Sequence, residues 1–280
     1  MREIQAAKIT EVIARLCIAS NYELNSDILC GMEAALASEA NPVAENILAN
    51  LLKNAQIAKD ERIPICQDTG MVTVFLEVGQ EASIVGTPLE DAVNEGVRRG
   101  YEEGYLRKSV VSDPLRRVNT GDNTPAVIHT RIVPGDKITV TVAPKGFGSE
   151  NMSRVIMLEP SAGVDGVIDF VVGAVKSAGS NPCPPIVVGV GIGGNMEKAA
   201  LLAKTALLRD IRASHPDPYY AALEQALLEK INALGIGPQG LGGKTTALGV
   251  NIEVFPTHIA GLPVAVNISC HVARHVGEVI

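Results

Sequence analysis

The chain has 280 residues, 46% of them hydrophobic and 20% charged, with a formal net charge of −7 and a pI near 5.3. This is a globular composition, long enough for one large domain or two small ones. The acidic balance argues against nucleic acid or an anionic membrane as the main partner, and no apolar run approaches the ~18–20 residues of a membrane span.

In chain order, "MREIQAAKITEVIARLC" reads as an amphipathic helix with Ile4, Ile9, Val12, Ile13 and Leu16 on one face. It has no apolar stretch followed by a cleavage site, so a cytoplasmic protein is expected. A second helix begins at "SDILCGMEAALASE" with Ser26 as cap, and a third at "NPVAENILANLLKNAQIAKDE" with Asn41 as cap and Pro42 in the first helical position. The loop "ICQDTG" leads into a strand over 71–78, and Thr87 and Glu90 stand at capping-box spacing before a fourth helix. "AVIHTRIVPGDKITVTVAP" reads as a hairpin of two strands joined by Pro-Gly-Asp. After the Gly-rich loop "KGFGSENMS" come a helix over 163–178, the strand "IVVGVGI", helices near 196–212 and 217–234, and the strands "ALGVNIEVF" and "VAVNISC". The mixture implies an α+β fold, with N-terminal helices followed by mixed and antiparallel strands and further helices. No repeat or low-complexity linker divides it. One domain over 1–280 is expected, divisible into two lobes near 150–160.

Two phosphate-binding signatures invite comparison. "GVGIGG" fits G-x-G-x-x-G at Gly189, Gly191 and Gly194, after a strand and before a helix. The acid-tipped strand that should follow is missing, so a tight strand-to-helix turn competes with a nucleotide-binding dehydrogenase reading. "GPQGLGGKTT" resembles a P-loop, but Pro238 occupies the place of its first glycine. Lys244 in this stretch is compatible with a structural role.

Five cysteines in a chain read as cytosolic are core residues, ligands or nucleophiles rather than a disulfide framework. Cys17 and Cys30 lie within helical patterns, where a buried small apolar residue is the default. Cys66 in "ICQDTG", Cys183 in "SNPCPP" and Cys270 in "NISCHVARH" instead stand at loop–strand boundaries. On spacing alone these three are compatible with core residues or with ligands.

Taken in order, "CQDTG", "KGFGSENMS", "NPCPP…GVGIGGN", "GPQGLGGKTTALGV", "PTHIAGLPVAV" and "SCHVARH" resemble the α subunit of class I fumarases and the related tartrate dehydratases, along nearly the whole chain. The resemblance implies a [4Fe–4S] cluster held by Cys66, Cys183 and Cys270, with a fourth iron open to substrate. It implies a β subunit that completes the site, in an assembly expected to be α2β2, and a small dicarboxylate substrate. Reversible hydration of fumarate to (S)-malate is the first expectation and L(+)-tartrate dehydration the alternative.

The chemistry of such a reaction suits the residue types present. An open iron acts as a Lewis acid, a base moves the proton α to a carboxylate, and fixed donors hold the carboxylates. Asp68 is the one carboxylate of the Cys66 loop; the resemblance implies that it takes part in proton transfer together with a β-subunit residue, and its other reading is a turn cap. Arg107 can clamp a carboxylate, or simply lie on the surface. His258 reads as a core histidine by its apolar surroundings, whereas the resemblance turns it toward substrate. Gln67 can bond a substrate oxygen, and Gly148 can offer a main-chain N–H to an anion, although Phe147 stands where the family often has glycine. His271 and Arg274 are candidate partners of the cluster ligands.

Overall fold

The structure is a computed structural model that describes all 280 residues. Its helices and mixed sheets form an α+β fold. The chain divides into two compact units. The first comprises Met1–Leu24, Asn54–Phe147 and Arg274–Ile280; the second comprises Asn25–Lys53 and Gly148–Ala273.

In the first unit the central strand is β2 (Met71–Gly79), with Val72, Val74, Leu76 and Val78 buried. β5 (Ile138–Lys145) pairs antiparallel on one edge and β4 (Val127–Val133) parallel on the other, with β10 (Val276–Val279) antiparallel beyond β5. The expected β4–β5 hairpin is therefore not formed, because β2 lies between the two strands. The Pro-Gly-Asp turn instead wraps the end of β2: Gly79 N–H donates to Lys137 O at 2.8 Å and Gln80 N–H to Val133 O at 2.8 Å. A Cβ on Gly79 would lie 2.4 Å from Gly135 O, so glycine is what admits the turn.

The N-terminus also departs from the helical reading. Arg2–Gln5 form β1, paired parallel with β3 (Ala82–Val85), and the helix α1 starts at Ala6 and runs to Tyr22. Main-chain pairing with β3 satisfies polar groups that a frayed first turn would leave open. Helix α4 (Leu89–Glu103) begins with Pro88 in the cap position and no side-chain cap, so the Thr87–Glu90 box is not made.

α1 and α4 cross closely. A Cβ on Gly96 would meet Ile13 Cβ at 2.8 Å, and one on Gly100 would meet Ala14 O at 2.7 Å and Cys17 Cβ at 2.8 Å. Cys17 is fully buried there, and burial pushes its thiol well above the ordinary range.

The second unit is built on β7 (Ile186–Gly193), buried at every residue. β8 (Ala247–Phe255) pairs parallel with it, β9 (Leu262–Ser269) antiparallel, and β6 (Arg154–Leu158) lies at the edge beyond β9. Strand alternation sorts its side chains. Ile186, Val188, Val190 and Ile192 join a core with α6 (Gly163–Ala178) and α8 (Pro218–Asn232). Gly189 and Gly191 meet α7 (Met196–Ala206) on the other face, where a Cβ would lie 2.1 Å from Ala203 O and 2.1 Å from Ala199 O respectively. Gly189 and Gly191 of "GVGIGG" thus serve helix-on-strand contact.

Two further helices precede these strands. α2 spans Ser26–Ser38, with Asn25 rather than Ser26 in the cap position, and α3 spans Pro42–Glu61, with Asn41 Oδ1 accepting from Val43 N–H at 2.9 Å as expected of a cap. Cys30 is exposed on α2, turned away from the buried Ile28 and Met32, and is not the core residue its pattern suggested. Lys244 donates through Nζ to Ser38 O at 2.8 Å, at the end of α2. The four-residue α5 spans Phe147–Glu150. No helix is long and apolar enough to cross a membrane.

Substituting Gly100 by Ala weighs two opposed effects. Helix propensity favours Ala by about 1 kcal/mol, whereas overpacking against α1 main chain costs about 1–3 kcal/mol. Chemical denaturation is expected to show Gly100→Ala net destabilised; a more stable variant would contradict the α1–α4 packing.

Candidate functional site

The candidate site in the first unit is the loop between α3 and β2. Ile65 N–H donates to Asn21 O and Asn54 Nδ2 to Ile65 O, which ties the loop entrance to α1 and α3. At its exit Gly70 has φ +81, and a Cβ there would lie 2.7 Å from Lys145 N, so the chain turns into β2 pressed against β5.

Between these anchors stand Cys66, Gln67 and Asp68. Asp68 N–H donates to Cys66 Sγ at 3.4 Å, and Sγ lies 3.4 Å from Gln67 Oε1. The Asp68 carboxylate has both oxygens fixed: Oδ1 accepts Gly70 N–H at 3.0 Å and Oδ2 accepts Phe147 N–H at 2.9 Å. The Asp68 carbonyl accepts from Arg274 Nη2 at 2.6 Å. Asp68 is therefore more than a turn cap, since one of its oxygens reaches a residue distant in sequence.

The Arg107 segment is bonded to the same loop. Thr69 Oγ1 donates to Arg107 O at 2.8 Å, while the Arg107 side chain is exposed. Asn123, fully buried at φ +65, accepts Ser109 N–H (2.7 Å) and Val110 N–H (3.2 Å) on Oδ1 and donates through Nδ2 to Gly70 O at 3.2 Å. Tyr101 Oη, also fully buried, lies 2.6 Å from Thr69 O and 3.0 Å from Gly70 O. Burial pushes the Tyr101 phenol far above its usual range, so it stays a neutral donor.

In the second unit Cys183 occupies a left-handed conformation, φ +54, unusual for a residue with a Cβ. Its N–H donates to Ser180 O at 3.0 Å, and His271 Nδ1 lies 3.0 Å from its carbonyl. A carbonyl only accepts, so in this contact His271 Nδ1 is the donor. Gln239 secures the next residue, donating to Pro184 O through its main-chain N–H (2.7 Å) and Nε2 (2.9 Å). Cys270, half-buried, immediately precedes His271. The Cys183 loop and the end of β9 are thus joined by a hydrogen bond.

Gly148 lies exposed in α5, and a Cβ on it would be 3.7 Å from Asn181 O. His258 is exposed in the turn after β8, where Nδ1 accepts Ala260 N–H at 3.2 Å, which leaves the proton of the neutral ring on Nε2. It is not a core histidine. Within neither unit do three or more His, Cys, Asp or Glu side chains gather as a ligand set for a single metal ion.

The family model of fumarate hydratase (Fumerase) matches residues 10–278. The chain belongs to that family. It is similar to the putative L(+)-tartrate dehydratase subunit alpha of Methanocaldococcus jannaschii, 43% identical over 274 residues and 95% of both chains. It is also similar to the L(+)-tartrate dehydratase subunit alpha of Escherichia coli (strain K12), 34% identical over 271 residues, 95% of this chain and 89% of that protein. Membership of the fumarase family, which groups class I fumarases with tartrate dehydratase α subunits, makes the protein one of a family of hydro-lyases.

Sequence reasoning had missed Asn123, Tyr101 and Gln239. Asn123 sits in the polar run "NTGDNTP", which reads as an ordinary loop; only its burial marks it. Replacing Asn123 by Leu removes three hydrogen bonds and leaves buried main-chain groups open, at a cost of about 2–4 kcal/mol. Denaturant unfolding is expected to show this loss, with Asn123→Asp milder because it keeps the two accepted bonds.

Proposed function

We propose that this chain is the α subunit of an iron–sulfur hydro-lyase that removes water from L(+)-tartrate or a closely related 2-hydroxy dicarboxylate. The observation that carries the reading is the 66–70 loop, where a thiol sulfur receiving a main-chain N–H stands two residues from a carboxylate held by two more. The names of the relatives support tartrate ahead of fumarate, the first expectation from sequence. Fumarate hydration is the second reading, favoured by the description of the matching family model.

The proposed cofactor is a [4Fe–4S] cluster, with Cys66, Cys183 and Cys270 as its ligands. Two features of the first unit fit such a group. The Asp68 N–H on Cys66 Sγ is the kind of sulfur hydrogen bond that tunes cluster thiolates. Arg274, bonded to the same loop, has Nε and Nη1 buried without a partner, which suits an anionic group. When bound, the cluster supplies a Lewis-acid iron for the departing hydroxyl.

The side chains then have distinct tasks. The Arg107 fork clamps a substrate carboxylate, and Gln67 bonds a substrate oxygen. The Gly148 N–H and the His258 Nε2–H are further donors to a dianionic substrate. Each Asp68 oxygen keeps a lone pair beyond the N–H it accepts, so the carboxylate can take the proton from the carbon α to a substrate carboxylate. The relatives' designation as alpha subunits supports a β partner that contributes further groups, in an α2β2 assembly; the chain alone is then a poor catalyst.

Anaerobic reconstitution with iron and sulfide, followed by assay with the β partner on L(+)-tartrate, malate and fumarate, tests the reading. Iron and sulfide uptake is expected, lost in Cys66→Ser, Cys183→Ser or Cys270→Ser and kept in Cys17→Ala, with L(+)-tartrate giving the highest kcat/KM. A chain that takes up no cluster overturns the reading; preference for fumarate selects the second one.

Asp68→Asn preserves size and turn-forming ability. With iron content unchanged, it is expected to lower kcat by about 10²–10⁴-fold and to affect KM less. A near-normal kcat in the same sample removes Asp68 from proton transfer.

A further inference from the structure

Arg274 is only 6% exposed. Its Nη2 donates to the Asp68 carbonyl at 2.6 Å, while Nε and Nη1 are buried with no hydrogen-bond partner. Arg274 forms no ion pair with the Asp68 carboxylate, whose oxygens accept the N–H groups of Gly70 and Phe147 instead. A guanidinium cannot shed its proton to escape burial. A buried cation with open donors is costly unless an anion compensates it. A structural role alone, holding one carbonyl of a loop, would be served as well by a neutral donor.

We propose that Arg274 is the fixed counter-charge of the cluster and the positioning residue of the loop that carries Cys66. This rests on the iron–sulfur reading above. One N–H orients the Asp68 peptide, whose own N–H bonds Cys66 Sγ. The remaining buried donors and the positive charge serve the anionic assembly of thiolates and cluster. His271 is thereby separated from Arg274 in role: it secures the Cys183 carbonyl, whereas Arg274 acts on the Cys66 side.

The test uses the full chain carrying Arg274→Met or Arg274→Lys, studied both without iron and after anaerobic reconstitution with iron and sulfide. Without iron, Arg274→Met is expected to melt no lower than the wild type, because an uncompensated buried charge has been removed. After reconstitution it is expected to lose iron to a chelator about 10–100-fold faster, as for lost outer partners of metal ligands. Its cluster potential is expected to shift negative, since the more anionic reduced form loses its cation. Arg274→Lys retains the charge but not the fork, so its potential stays near that of the wild type while iron loss is still faster.

A Met variant with wild-type potential and iron retention, melting lower without iron, shows a purely structural arginine and overturns the inference alone. A wild-type chain that takes up no iron and sulfide overturns the cofactor reading and this inference together.

Discussion

Two consecutive main-chain carbonyls, those of Thr69 and Gly70, are the fixed points of the candidate site in the first unit. A loop that enters a buried strand must find partners for its polar groups away from water. The Tyr101 hydroxyl reaches both carbonyls and the Asn123 amide takes the second. Because Tyr101 belongs to α4 and Asn123 also binds Ser109 and Val110, one small network sets the 66–70 loop, α4 and the Arg107 segment in register. The Asp68 carboxylate and its contact with Phe147 follow from that placement.

The second unit reaches rigidity by different means. Small residues on one face of β7 let α7 approach the strand main chain, while branched residues on the other face fill the core. Beside this platform, Glu224 is buried and forms an ion pair with Arg209 while accepting Ile252 N–H at 2.7 Å and His215 N–H at 3.1 Å. Such a pair contributes mainly by leaving neither buried charge without its opposite, although Arg209 Nε itself has no hydrogen-bond partner. The left-handed Cys183 is held by Ser180 and His271, and the adjoining Pro184 by Gln239, so an unfavourable main-chain conformation persists at that thiol.

Helix α6 and the strands β2, β7, β8 and β9 were legible because each carries its own periodicity and flanking turn residues. The strands β1, β3, β6 and β10 were not, being four or five residues long and defined by the neighbour they pair with. The hairpin reading failed for a related reason. Pro-Gly-Asp marks a turn, but a turn motif cannot report whether a third strand inserts between its arms. Cys30 shows the same limit on a helix, where periodicity marks a face and packing alone decides whether a residue beside it is covered.

The sequence by itself determined the α+β class, the family, and the residue types present at each motif, since these depend on local pattern and on the order of short motifs along the chain. Only the tertiary structure decided which polar residues are buried and what they hold. Asn123, Tyr101 and Arg274 take their meaning from carbonyls and N–H groups far away in sequence. A hydrogen bond between distant segments leaves no periodic trace in either of them, so no reading of one segment at a time can reveal it.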